Sequence, residues 1–470
     1  MLGRPATPDS AHRRRLLVLA GPVYCELLAG VVSGIVGMVW VARLGGDAVA
    51  AVAVASHLEN LLLGVILMAG TGTTVLVARA AGARDPAAVR AAMRGGWALY
   101  ALLAPAVAIG GWALRDPLAG LLLGGGGTAH GLAVRYLAVS LPGIVVFYAQ
   151  NVLDGTLKGA GDTRTPMRLA LLANALILVL DPLLILGPFG LPALGVPGAA
   201  VATLLGRSVA LGVGLAALRR NRLVRDARRA PGAGSTAAAL RRTVATGLPM
   251  SGDFVVRMAG SLALVAVVAR LGVTAVAAYG IATKAMYVAT MAFYAVRQAA
   301  AIHTAHTLGA GLDQRVAIGR QTVRLGAVLG AGSALLLAIA ADGVMRAFGA
   351  TPEVAAAGSL YLRCLGPYLT LLACFIALGG VFEAGGGSPT LLRVTAAGVA
   401  LQLPLAYALS TVTGLPGVPV AMAASTALQC LAVALLFRRL AHGTGAGAGT
   451  AAGRAVAPEA AVAADPDRGA

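Results

Sequence analysis

The stretch from Pro22 to Ala55 is written twice in this chain, and that duplication limits the available folds more than any other feature. Pro22-Val-Tyr-Cys-Glu26 opens an apolar run that ends in Val-Ala-Arg-Leu-Gly (41–45) and Ala-Val-Ala-Ala (48–51). Pro249-Met-Ser-Gly-Asp253 opens a second run that ends in Val-Ala-Arg-Leu-Gly (268–272) and Ala-Val-Ala-Ala (275–278). Shared alanines mean little in an alanine-rich chain. An identical pentapeptide with a proline and a carboxylate at matching places upstream is a repeat. The correspondence continues: Gly82-Ala83 matches Gly309-Ala310, Tyr136 and Pro142 match Tyr361 and Pro367, and Gly195-Val-Pro197 matches Gly417-Val-Pro419. A unit half the chain long, present twice, requires two large equivalent halves.

Those halves are built for a bilayer. The chain is 58% hydrophobic and 12% charged, and its apolar runs are long enough to cross the hydrocarbon core. Six spans are expected in the first half, at 16–42, 49–78, 93–114, 133–153, 167–187 and 195–218. Six more follow at 244–269, 275–307, 321–341, 359–382, 391–413 and 417–437. The first run is too long for a cleaved signal and is kept as a span. This divides the chain into a polar N-terminal segment (1–15), a first lobe (16–218), a basic linker (219–243), a second lobe (244–437) and an Ala/Gly-rich tail (438–470) expected to be disordered. The net charge of +19 would suggest nucleic acid in a soluble chain. Here the Arg residues cluster in short loops on one side, as membrane orientation demands, so no nucleic acid partner is expected. With both termini cytoplasmic, most of the 37 Lys and Arg fall inside. Six spans per half is an even number, so both copies enter in the same sense as parallel repeats. Cys25, Cys364, Cys374 and Cys430 read as small apolar residues.

Enzyme signatures are missing. Gly-Thr-Gly-Thr-Thr (70–74) lacks the lysine of a phosphate-binding loop and suits helix packing. His303 and His306, three apart near the end of span 8, read as solvated helix-end residues rather than metal ligands. A membrane-embedded transferase would need clustered acids or histidines in its loops, so the chain is read as no enzyme.

Ionisable groups inside spans carry the functional information, because each is costly unless paired or wet. Glu26, Glu59, Asp181 and Asp253 are the acids; Arg207, Arg257, Lys284 and Arg297 are the bases. Asp253 and Arg257 are four apart and can pair on one helix face. Asp181 stands alone among Leu and Ile in span 5, followed by Pro182, which frees a carbonyl nearby. Its repeat mate is Leu403 beside Pro404, so the proline is duplicated and the acid is not. Asp181 is therefore expected to couple transport to an ion, with Glu26, four residues after Pro22, and Asn174 as companions. Pro22 and Pro182 are candidate hinges. Glu59, beside His57 and Asn60, and Asp253 are candidate cavity residues. Lys284, Tyr287, Met291 and Tyr294, with Gln298, form a stripe on span 8 that could line the same cavity.

These residues resemble the multidrug and toxic compound extrusion (MATE) transporters, in their bacterial DinF-like branch. The resemblance spans 16–437. It rests on Ala-Arg-Leu-Gly-Gly (42–46), Ala-Arg-Ala-Ala-Gly-Ala (78–83), Lys-Gly-Ala-Gly-Asp-Thr-Arg-Thr-Pro-Met (158–167), Leu-Asp-Pro-Leu-Leu-Ile (180–185) and Gly-Val-Pro-Gly-Ala-Ala-Val-Ala-Thr (195–203). It implies an all-α polytopic membrane protein, with twelve transmembrane helices in two six-helix lobes around a central cavity. It further implies efflux of drug-like compounds by H⁺ or Na⁺ antiport with alternating access, from the cell membrane and without a cofactor. A monomer is expected. Asp181 falls at the family's helix 5 acid. The usual helix 1 Asp is Gly37 here, and the Asn often found four residues before the helix 5 acid is Ile177. That half-missing set weakens the case for Na⁺, which needs several oxygen ligands, and favours H⁺. The alternative within the superfamily is a flippase for lipid-linked precursors, which needs a more cationic cavity.

Overall fold

The computed structural model describes residues 8–452 apart from 125, 191 and 232–233. Among the described residues there is no strand. The first half contains α1 (Pro8–Ala42), α2 (Gly46–Gly82), α3 (Pro86–Leu123), α4 (Thr128–Gly159), α5 (Arg164–Leu186) and α6 (Val196–Arg220). A short α7 (Arg222–Arg229) precedes the second half: α8 (Thr236–Ala269), α9 (Val273–Gly309), α10 (Arg315–Ala347), α11 (Pro352–Cys364), α12 (Gly366–Ala384), α13 (Ser388–Thr413) and α14 (Gly417–Ala452). Twelve of these helices are long and apolar enough to cross a membrane. Several exceed 35 residues, over 50 Å at 1.5 Å per residue, so they project well beyond a core of about 30 Å.

Three boundaries differ from the hydropathy reading. Helix α1 begins at Pro8, within the expected polar segment. The linker contains α7, whose Val224 and Ala227 bury against the first half, while Arg90 and Arg94 of α3 donate to the Ala230 and Gly234 carbonyls. Helix α14 continues to Ala452, so the segment 438–452, expected to be disordered, is helical; 453–470 lie outside the described residues. The tenth span is also broken, between Cys364 and Gly366. Pro367 accounts for that break, since it has no N–H to donate and its ring presses on the preceding turn. Its mate Pro142 lies inside a continuous α4.

The halves interlock through their first helices. Leu16, Leu19, Ala20 and Val23 of α1 pack against Ala295, Ala299 and Phe375 of the second half. Reciprocally, α8 crosses to the first half, where Gly72 and Gly247 let the α2 and α8 backbones touch. The Ser251 hydroxyl donates to the Gly64 carbonyl. At the end of the bundle that holds the α6–α8 connection, a methyl on Gly82 would collide with the His306 carbonyl, and one on Gly309 with the Arg79 carbonyl. The two contacts are repeat mates, so the same surface is used twice about a pseudo-two-fold axis. These close approaches run from the middle of the bundle to the connection side. On the other side α2 and α9 carry exposed His57, Asn60, Lys284 and Tyr287.

Candidate functional site

A cavity of about 320 Å³ lies in the connection-side half of the bundle. Helices α1, α2, α4, α5 and α6 form most of it, and Met250, Gln298, Ala301 and Glu383 of the second half close it. Its room comes from small residues: Gly30 on α1, Gly70 on α2, Gly155 on α4 and Ala173 on α5 all line it. Gly155 packs so closely on α2 that a methyl there would strike the Gly70 carbonyl.

Its polar wall is carried by the last two turns of α4. That helix is stopped by Gly161, at φ +87°, with Asp162 N–H donating to Leu157 and Gly161 N–H to Lys158, a Schellman ending only a left-handed residue can complete. The extension brings Lys158 Nζ to 2.8 Å from Glu26 Oε1 on α1. Asp154, one turn earlier, lies within Coulombic range of both. Glu26 Oε2, Asp154 Oδ1 and Gln150 Oε1 are buried without hydrogen-bond partners among the described residues, and Gln150 is only 6% exposed. Asn151 and Asn174 spend their amides on their own helices, donating to Phe147 and Ala170. Arg207 of α6 stacks over Phe147, 4.2 Å from the ring centre, and makes no hydrogen bond or ion pair among the described residues.

Asp181 sits two turns beyond Asn174 on α5 and is not on the cavity wall. It is 2% exposed and has neither hydrogen bond nor ion pair among the described residues. Its carboxylate faces Gly37 of α1: a Cβ there would lie 3.1 Å from Asp181 Oδ2. The position lacking the expected acid is thus the one in contact with Asp181. Pro22 and Pro182 both lie inside continuous helices, so neither marks a break. Glu59 is likewise away from the cavity wall, near Ser140 and Arg207.

Asp253, expected to line the cavity, does not. Its oxygens accept from Arg257 at 3.1 and 3.2 Å, from Arg297 at 2.8 Å and from Thr395 at 2.5 Å. Arg297 also holds Glu383 at 2.6 Å. With its acceptors engaged inside the second half, Asp253 has nothing to offer a ligand. The α9 stripe is corrected too. Only its end, Gln298, reaches the cavity; Met291 is buried, and Lys284, Tyr287 and Tyr294 lie further up the helix. His303 and His306 are bonded rather than solvated, to the His12 ring at 2.9 Å and the Gly159 carbonyl at 2.8 Å. The sequence reading passed over Asp154, Lys158 and Glu383, because it closed spans 4 and 10 at their last apolar residue.

The repeat relates cavity to network. By the offsets that pair Glu26 with Asp253, Tyr136 with Tyr361 and Asp181 with Leu403, the mates of Arg257, Arg297, Glu383 and Thr395 are Gly30, Gly70, Lys158 and Ala173. All five first-half members line the cavity.

A two-lobed bundle of twelve apolar helices around a cavity with a polar wall defines a multi-pass membrane protein of the transporter type. Residues 22–183 and 249–408 match the MatE family model, and the chain belongs to that family. It is 33% identical over 201 residues to the probable multidrug resistance protein NorM of Thermotoga maritima, a match covering 43% of each chain. The chain thus spans less than half of that relative's length. A probable multidrug resistance protein NorM of Bradyrhizobium diazoefficiens is 28% identical over 463 residues, covering 91% of this chain and 93% of the relative. Among solved structures, a mutant of the Vibrio cholerae MATE transporter VcmN superimposes with a TM-score of 0.84 at 20% identity, over 93% of this chain and 98% of that one. At that identity the likeness speaks to the fold.

Proposed function

We propose that this chain, a DinF-like member of its family, exports small organic molecules across the plasma membrane by alternating access, with H⁺ as the counter-ion and both termini cytoplasmic. Asp181 carries the coupling. A carboxylate buried in apolar surroundings with no donor is unstable as an ion, and a proton is the smallest partner that neutralises it. Because Asp181 packs directly on Gly37, neutralising it changes what α1 meets along α5. Helix α1 also packs on the second half through Leu16 to Val23, which connects that event to the seam between lobes. The cavity walled by Glu26, Asp154 and Lys158 is the substrate site of this reading. The multidrug resistance relatives support export, and the Arg-rich connection side supports cytoplasmic termini.

The test is dye transport in inside-out vesicles under an imposed pH gradient, repeated with a Na⁺ gradient. Wild-type protein should respond to the pH gradient alone. Asp181→Asn should still bind dye and lose gradient-driven transport. A wild-type rate in that variant, or a response to Na⁺ only, overturns the proposal.

A further inference from the structure

The second half shows what the first-half cavity is shaped to hold. The Arg297 guanidinium lies between Asp253 and Glu383, at 2.8 and 2.6 Å, in the place that Gly70 leaves open in the first half. Gly30 likewise removes the counterpart of Arg257. One acid is kept, Glu26 for Asp253; Glu383 is exchanged for Lys158, and a new acid, Asp154, is added where the second half has Gly379. A Cβ on Gly379 would lie 3.5 Å from the Arg297 guanidinium carbon, so Asp154 occupies a site that touches a guanidinium in the other lobe. The second-half network balances two acids with two arginines. At the equivalent positions the first half has Glu26 and Asp154 against Lys158 alone; Arg207, which comes from α6, is within Coulombic range of Asp154 but hydrogen-bonds to neither acid among the described residues. Three buried acceptors, on Glu26, Asp154 and Gln150, have no donors among the described residues, and unmet buried acceptors are costly.

We infer that the cavity binds the guanidinium or amidinium head of a small molecule, in the position that Arg297 fills within the second lobe. A planar fork of N–H groups meets two carboxylates and an amide oxygen at once. A quaternary ammonium of equal charge has no N–H and leaves all three unsatisfied. Arg207 lines the same cavity stacked over Phe147, a residue two turns before Asp154 on α4, about 10 Å along the axis at 1.5 Å per residue. It therefore faces the tail of the ligand rather than its head. The inference rests on the cavity being the transport site, but its test uses no gradient.

Binding of phenylguanidinium and of trimethylphenylammonium to the purified full-length protein is compared by calorimetry. The guanidinium should bind about tenfold tighter or better, the scale set by charge-assisted hydrogen bonds, and Asp154→Asn should abolish that preference. Gln150→Leu, which removes an acceptor and no charge, should reduce it partway. Equal affinities in the wild type overturn the inference without any variant having to fold. So does a preference that survives Asp154→Asn. Loss of pH-driven transport with the preference intact would instead overturn the antiport proposal alone.

Discussion

Gly30, Gly70 and Ala173 of the first half stand opposite Arg257, Arg297 and Thr395 of the second, and the two lobes differ most at those places. One lobe uses its duplicated framework to enclose space, the other to bury a closed ion network. The backbones agree where they must: Gly155 against Gly70 and Gly380 against Arg297 are the same helix crossing with the same close approach. The two halves thus share this crossing, and the small side chains at Gly30, Gly70 and Ala173 leave a pocket in only one of them. The lobe with the network has no freedom to ionise or bind there, since removing any member strands the others.

The largest effect expected from this contrast is in the filled lobe. Arg297→Leu leaves Asp253 and Glu383 buried without their shared partner and should cost about 3–5 kcal/mol, read as a large drop in melting temperature in detergent. Gly155→Ala and Gly380→Ala come next, each at about 1–3 kcal/mol, because a methyl must push two helices apart. Similar losses at both would confirm that the crossing is shared, whereas a loss at only one would break the comparison. Lys158→Met, in the open lobe, should cost as much as these, about 1–3 kcal/mol, since it strands one carboxylate where Arg297→Leu strands two. Gly30→Ala should be smallest. A Cβ there meets nothing within 4 Å, so a change within about 0.5 kcal/mol is expected, with any effect appearing in ligand affinity.

The repeat, the parallel sense of the halves and the twelve spans were legible because they depend on period and run length. The Asp253–Arg257 pair was legible for the same reason, as both partners sit on one helix. Arg297, Glu383 and Thr395 join that pair from three other helices, and no local spacing announces such a meeting. The stripe from Lys284 to Tyr294 shows the reverse limit: periodicity says which residues share a face, not what the face looks at. Asp154 and Lys158 were lost to a simpler cause. Hydropathy marks where lipid ends, while α4 continues two turns further. The lysine's repeat mate, Glu383, was the signal that could have recovered both.

The reciprocal seam at Gly82 and Gly309 has a kinetic consequence. Two bare backbones meet there, and beside them the His306 ring bonds to the Gly159 carbonyl. Under the alternating-access proposal, parting such a joint mainly hydrates a few carbonyls, so the barrier to opening on that side would be shallow.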